Sequence, residues 1–271
     1  MNLLAGTPGL LNALRNERTP KFLATRGSAW DPNVVPCLSL MPDDGESDIL
    51  FFGNFLLRKS VKNLEGDSRI GILVLTPELQ CWILTAEFLE FQRCGSYVER
   101  QNSSRMLRYN AYTGIRNAGV MRLRSVEAVF ALSRLQVARD FVSARLSARH
   151  HASAEIDAVR VPIAARHELA RMAAIKVLSW IGTDGYPFVV PALSLQPMGE
   201  RRLVARIGQD LGVCLQPTLP AVASHVAANV LTPDAISYQA KGIWEHAGKI
   251  GMIHVQSVYA GGPPIPGGRI A

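Results

Sequence analysis

The chain has 271 residues, 48% hydrophobic and 19% charged, enough for one large or two ordinary domains whose cores need no disulfide or metal staple. Its net charge of +7, from 29 basic and 22 acidic residues, favours anionic ligands, but the basic residues are spread out and form none of the dense blocks of nucleic-acid tails. Cys37, Cys81, Cys94 and Cys214 make no C-x-x-C pair and no zinc-ribbon spacing, so reduced thiols in a cytoplasmic protein are expected.

In chain order, the opening MNLLAGTPGLLNALRNERTPK has no basic run ahead of its apolar residues, which Pro8, Asn12 and Arg15 interrupt. Neither a targeting nor a membrane segment is expected there. Within it, PGLLNALRN places Leu10, Leu11 and Leu14 on one helical face. Six apolar runs bounded by Gly, Pro, Asp and Asn follow: FLATRG, NVVPCLSLM, DILFFGNF, RIGILVLT, CWILTAEFLEF and GVMRLRSVEAVF. They read as strands, in the number of a small barrel. SRLQVARDFVSARLSARHH then sets Leu135, Ala138, Phe141, Val142 and Leu146 at helical spacing, a linker helix packed on a barrel, until ASAEIDAVRVP breaks it. A further short helix is expected in ARHELARMAAI, with Leu169, Met172 and Ala173 on its apolar face.

The chain then repeats itself. KFLATRGSAWDPNVVPCLSLMP (Lys21 to Pro42) aligns without a gap with KVLSWIGTDGYPFVVPALSLQP (Lys176 to Pro197), 155 residues on. VLTPE at Val74 returns as VLTPD at Val230, and GVMRLRSV at Gly119 as GMIHVQSV at Gly251. Order is kept throughout, as tandem duplication requires. Pro36 to Gly119 spans 83 residues and Pro191 to Gly251 spans 60, so the first copy carries 23 more, in an insert around residues 92–117. The expected organisation is a first unit at 1–132, a helical linker at 133–163 and a second, degenerate unit at 164–271.

The residues that carry chemistry lie in LLRKSVKNLEGDSRI. An apolar strand stops at Arg58 and Lys59, and the spacing of Val61 and Leu64 suits a short helix, so Arg58, Lys59 and Ser60 fall at a strand-to-helix junction. Cationic side chains beside the N–H groups of a helix start are a natural anion site. A charged strand end facing water would look similar, but the second copy has Val213 and Cys214 at these positions while keeping the neighbouring strands. A charge needed merely to end the strand should reappear there, so the difference favours the anion site over a solvated strand end, which is kept as the alternative.

Other residues have plainer readings. His150 and His151 are a solvated linker end, and His225, His246 and His254 stand alone, so no metal site is expected. The insert interleaves Arg105, Arg108 and Arg116 with Tyr109 and Tyr112, which suits a surface insertion, a lid over the ligand site or a single-stranded nucleic-acid contact. Trp82 and Trp244, near-equivalent in the repeat, are read as packing, as is the Cys37 thiol. The tail GGPPIPGGRIA is an extended strap over the barrel or disordered.

The order PNVVPCLSL, LFFGNFLLRKSVKNL, RIGILVL, a further strand and a closing GVMRLRSVEAVF resembles the FMN-binding split β-barrel superfamily, which includes pyridoxamine 5'-phosphate oxidase-like and small bacterial FMN-binding proteins. The resemblance covers most of residues 8–130 and, more weakly, 164–260. It implies a mainly β fold with flanking helices: two tandem six-stranded split barrels of Greek-key type joined by a helical linker. It further implies FMN in a cleft between barrels, its phosphate held by Arg58 and Lys59 with Ser60 and Asn63 nearby, its ring along Pro36, Cys37, Leu38, Ser39, Gly53 and Asn54. Leu57 stands where many relatives carry Ser or Thr. No catalytic side chain is expected, because the flavin carries the chemistry. The implied activity is that of an FMN-dependent oxidoreductase acting on an unidentified small molecule. Its partners would be that substrate or an electron donor, with no nucleic acid and no membrane, in a homodimer or a monomer with an internal pseudo-dimer. The alternatives are a non-catalytic flavin- or partner-binding module and a haem-binding or haem-degrading barrel; a deazaflavin would suit the same donors as FMN.

Overall fold

The computed structural model describes residues 2–44, 47–104, 115–150, 158–207, 219–262 and 266–271. Two short helices, α1 (Leu3–Gly6) and α2 (Leu10–Arg15), lead into β1 (Lys21–Arg26), β2 (Pro32–Pro36), β3 (Met41–Pro42) and β4 (Ile49–Gly53). After α3 (Arg58–Gly66) come β5 (Arg69–Leu75), β6 (Gln80–Gln92), α4 (Ser96–Ser103) and β7 (Ala118–Ala131). These strands form an antiparallel sheet in the order β2-β1-β5-β6-β7-β4-β3.

Its two ends are joined by the residues between Pro36 and Met41. A turn in which the Leu40 amide donates to the Cys37 carbonyl carries the chain from one sheet edge to the other and closes the barrel. The single strand expected over NVVPCLSLM is therefore two short ones. Pro36 has no N–H to continue a ladder, and the Cys37 amide turns back to the Lys21 carbonyl. The DILFFGNF strand likewise ends at Gly53, before Arg58.

The linker helix α5 (Arg134–His150) leads to α6 (Ile163–Ala170). The second half then runs through β8 (Ile175–Ile181), β9 (Pro187–Pro191), β10 (Gln196–Met198), β11 (Arg202–Arg206), β12 (His225–Leu231), β13 (Ser237–Ala247), β14 (Ile250–Ala260) and β15 (Gly268–Arg269). Its order, β9-β8-β12-β13-β14-β11-β10 with β15 against β14, is that of the first sheet. The repeat extends to single atoms. Lys21 lies opposite Val74 and Lys176 opposite Val230. Both ammonium groups are buried on a carbonyl five residues back, Lys21 on Asn16 at 2.9 Å and Lys176 on Arg171 at 2.8 Å.

The fold is thus mainly β, two split-barrel halves with flanking helices. Three details differ from the sequence reading. Helix α6 ends at Ala170, where the Lys176 ammonium takes the Arg171 carbonyl, so Met172 lies past it and is exposed. Among the described side chains of α5, Asp140, Phe141 and Ala144 are deeply buried, the helix lying against β10 and β11, while Leu135 and Val142 face out. The indoles are not equivalent either: Trp82 lies opposite Val74, whereas Tyr238 lies opposite Val230. Both are nonetheless buried, as packing requires.

One apolar core runs through both halves, joining Phe22, Val34, Leu73 and Ile83 to Val177, Val190 and Val230, while the front barrel fills its interior with a second set around Leu23, Phe52, Ile72 and Leu84. The halves cross twice. Strand β9 lies on β5, so close that a Cβ on Gly71 would come within 2.0 Å of the Pro187 carbonyl oxygen. Strand β2 lies on β12 and β13.

Candidate functional site

The second crossing is open. Between β2 and the start of α3 on one side, and β12, β13 and the end of β14 on the other, lies a cavity of about 310 Å³, a size that accepts a compact small molecule. Val35, Pro36, Leu38, Phe55 and Leu57 make its front wall apolar, and Leu231, Ala235 and Ala260 do the same from the rear. Among the described lining residues there is no carboxylate, histidine or cysteine.

Its cationic end is the first turn of α3. The residue ahead of that helix, Leu57, makes no side-chain cap, so the first-turn amides and the positive end of the helix dipole are left to solvent or ligand. Lys59 and Ser60 of this turn line the cavity. Ser60 is buried and its Oγ accepts from Asn33 Nδ2 at 3.1 Å, which leaves the hydroxyl proton to donate. The Lys59 ammonium lies 4.5 Å from the Tyr259 ring centre, a cation–π contact supplied by the second half. It also stands 4.0 Å from the Asp31 carboxylate, which Lys241 of β13 holds at 2.5 Å. Burial pushes the Lys241 ammonium down to about 8, helped by the charge of Lys59 and opposed by Asp31. Burial alone would raise the Asp31 carboxyl, but Lys241 and Lys59 together hold it below its usual range.

Of the site residues named from the sequence, Pro36, Leu38, Ser39, Lys59 and Ser60 line this one cavity, and the others lie outside its lining. Arg58 is exposed, because adjacent residues on a helix point about 100° apart. Asn63, a turn further on, donates to Thr25 Oγ1 at 3.0 Å and ties α3 to β1. Cys37 is buried beside the cavity and burial pushes its thiol up to about 12, the state of a packing residue. Gly53 gives its amide to Ser39 Oγ at 3.2 Å, and the Asn54 amide donates to the Asn117 carbonyl. Of the insert, Gln101 donates to the Ser39 carbonyl at 2.7 Å and Tyr97 stacks on Phe51. Arg105, Arg108, Tyr109 and Tyr112 lie outside the described residues, as do His151, Val213 and Cys214.

Sequence reasoning placed the ligand in a cleft between the barrels but named no residue of the second half. Asn229 and Gln239 both donate to the Val34 carbonyl, Asn229 at 3.2 Å, and Ser237 donates to Asn229 Oδ1 at 3.2 Å. All three line the cavity. The tail completes it: β15 folds back on β14, and Gly261 and Gly267 sit at the rim. A signal for the polar set was present in the repeat, because Leu73, Cys81 and Ile83 occupy the matching positions in the first copy.

No family model matches this chain, and no curated protein does. Among solved structures, an FMN-binding protein from Syntrophomonas wolfei matches at 18% identity and a TM-score of 0.39, over 49% of this chain and 88% of its own. The H111A form of HupZ from Group A Streptococcus matches at 18% identity and 0.37, over 46% and 98%. A NimC/NimA family protein from Clostridium acetobutylicum matches at 18% and 0.37, over 48% and 92%. Each spans about half of this chain.

Proposed function

We propose that this chain binds a flavin, FMN in the first instance, in the cavity between its two halves. The observation that carries this reading is that Lys59 and Ser60, at an uncapped helix start, face the same cavity as the apolar wall of β2. A flat, largely apolar ring with a hydrogen-bonding edge suits Pro36, Leu38 and Leu231 opposite the amides of Asn229 and Gln239. A terminal phosphate suits Lys59, Ser60 and the α3 amides. Arg58 would reach the phosphate only from outside.

When bound, a flavin supplies hydride and electron transfer, and the chain's own residues then position it and exclude water. The lining fits that division, since its described side chains offer anchors and walls and no general acid–base pair. The corresponding activity is oxidation or reduction of a small molecule; a deazaflavin, which shares the flat ring and the phosphate, is the closest alternative. Because both walls belong to one chain, an internal pseudo-dimer of units 1–132 and 164–271, joined by 133–163, suffices to build the site. Among the described residues no helix is long and apolar enough to cross a membrane; a cytoplasmic location is part of the proposal.

The test is the visible spectrum of the purified protein and its titration with FMN. A flavin band that bleaches with dithionite or a reduced nicotinamide, and recovers with turnover on a substrate, is the expected outcome. Colourless protein that does not take up added FMN overturns the reading.

A further inference from the structure

The Asp31 carboxylate beside the cavity has two ammonium neighbours, one from each half of the chain. Lys241 reaches it at 2.5 Å and Lys59 stands at 4.0 Å. Two ammoniums and one carboxylate leave one net positive charge, and geometry decides where it resides. The Lys241 side chain is 9% exposed and lies outside the cavity lining, whereas that of Lys59 is 33% exposed and forms part of it. Attraction between charges grows as they approach and as water is excluded, so the charge of Asp31 is spent on Lys241. The surplus remains on Lys59, facing the cavity.

We propose that Lys241 is a positioning residue for the anion site: by neutralising Asp31 it leaves Lys59 free to pair with the phosphate of the ligand. The inference rests on the flavin reading above. Without Lys241, Asp31 is a half-buried carboxylate whose near partner is gone, a costly state. Lys59 has only a short distance to move to relieve it, and would fill its own site. The other crossing of the halves is built differently. The residue matching Asp31 there is Tyr186, whose hydroxyl donates to Glu87 at 2.8 Å, and the residue matching Lys241 is Thr85. This charge arrangement thus belongs to the crossing that holds the cavity.

The test compares FMN with riboflavin, which has the same ring without the phosphate, on the full-length wild type, Lys241→Met, Asp31→Asn and the double variant. The readout is the ratio of the two affinities, which a change in folding or in the ring's surroundings does not move. Wild type should prefer FMN. Lys241→Met should lose roughly tenfold or more of that preference, the scale of a charge-assisted hydrogen bond. The double variant should regain it, because no carboxylate then competes for Lys59. Equal weakening of FMN and riboflavin in Lys241→Met, or no recovery in the double variant, overturns the proposal. Should Lys241→Met fail to fold, Asp31→Asn decides. A preference at or above wild type supports the competition, and a fall overturns it, since Asp31 would then be orienting Lys59. Wild type that binds riboflavin as tightly as FMN sinks this inference and spares the flavin reading; wild type that binds neither sinks both.

Discussion

The two crossings between the halves use the same strands in the same register and end in opposite states. At one, β9 meets Leu73, Cys81 and Ile83, which join the apolar core with Phe188 packed against it, and Gly71 admits the Pro187 carbonyl. At the other, β2 meets Asn229, Ser237 and Gln239, which reach across to the Val34 carbonyl and leave a cavity beside them. Apolar side chains at a crossing gain by excluding water and close up. Amide and hydroxyl groups must keep hydrogen-bond partners, and a polar-edged cavity provides them. The two halves present matching clefts, and the open one is the cleft lined by the polar side chains of the second half.

The comparison can be broken most severely at the closed crossing. Gly71→Val puts a branched side chain against the Pro187 backbone and should cost about 3 kcal/mol or more, the upper range of overpacking, read as a fall in the denaturant midpoint. The matching residue at the open crossing is Ala227, which already carries a Cβ; Ala227→Gly should cost only about 1 kcal/mol.

A second contrast lies within the open site. Lys59→Met should weaken FMN binding by about 10- to 100-fold, the loss of a hydrogen bond to a charged group, measured by fluorescence titration. Arg58→Met, at an exposed position, should change it by less than about threefold, the scale of a solvated ion pair. Equal effects from the two would return the anchor to the pair as a whole.

A third variant makes the open crossing resemble the closed one. Asn229→Leu with Gln239→Ile removes both side-chain donors to the Val34 carbonyl. It should cost about 1–3 kcal/mol for the acceptor left unpaired in a buried site, and reduce flavin uptake as the cavity contracts. If stability rises instead, the polar set is kept for ligand binding alone.

The smallest effect is a pH dependence from the buried Lys21. Burial pushes Lys21 down to about 8, against opposing contributions from Cys37 and Glu17, while the model-peptide value is 10.5. Above pH 8 the folded state has released that proton and the unfolded chain still holds it, so stability should rise with pH. Above about pH 9 the Cys37 thiol, raised to about 12 in the folded state, works the other way, because the unfolded chain ionises first. The rise should therefore be confined to about pH 8–9 and become smaller in Lys21→Met, where Lys241, also pushed down to about 8, still contributes, as followed by denaturant midpoints across that interval.

By itself the sequence determined the repeat, the order of its strands and the helix start at Arg58, because these follow from local chemistry: alternation of apolar residues, turn-forming Gly and Pro, and the spacing of Val61 and Leu64. It also carried the substitutions at 229, 237, 239 and 241, although their meaning depends on what lies opposite them. Only the tertiary structure decided which cleft stays open, that Lys59 and not Arg58 faces it, and that Lys241 reaches Asp31 from the other half of the chain. Side-chain direction around a helix start and contact between residues so far apart in sequence are fixed when the two barrels dock. No periodicity within either barrel encodes that angle.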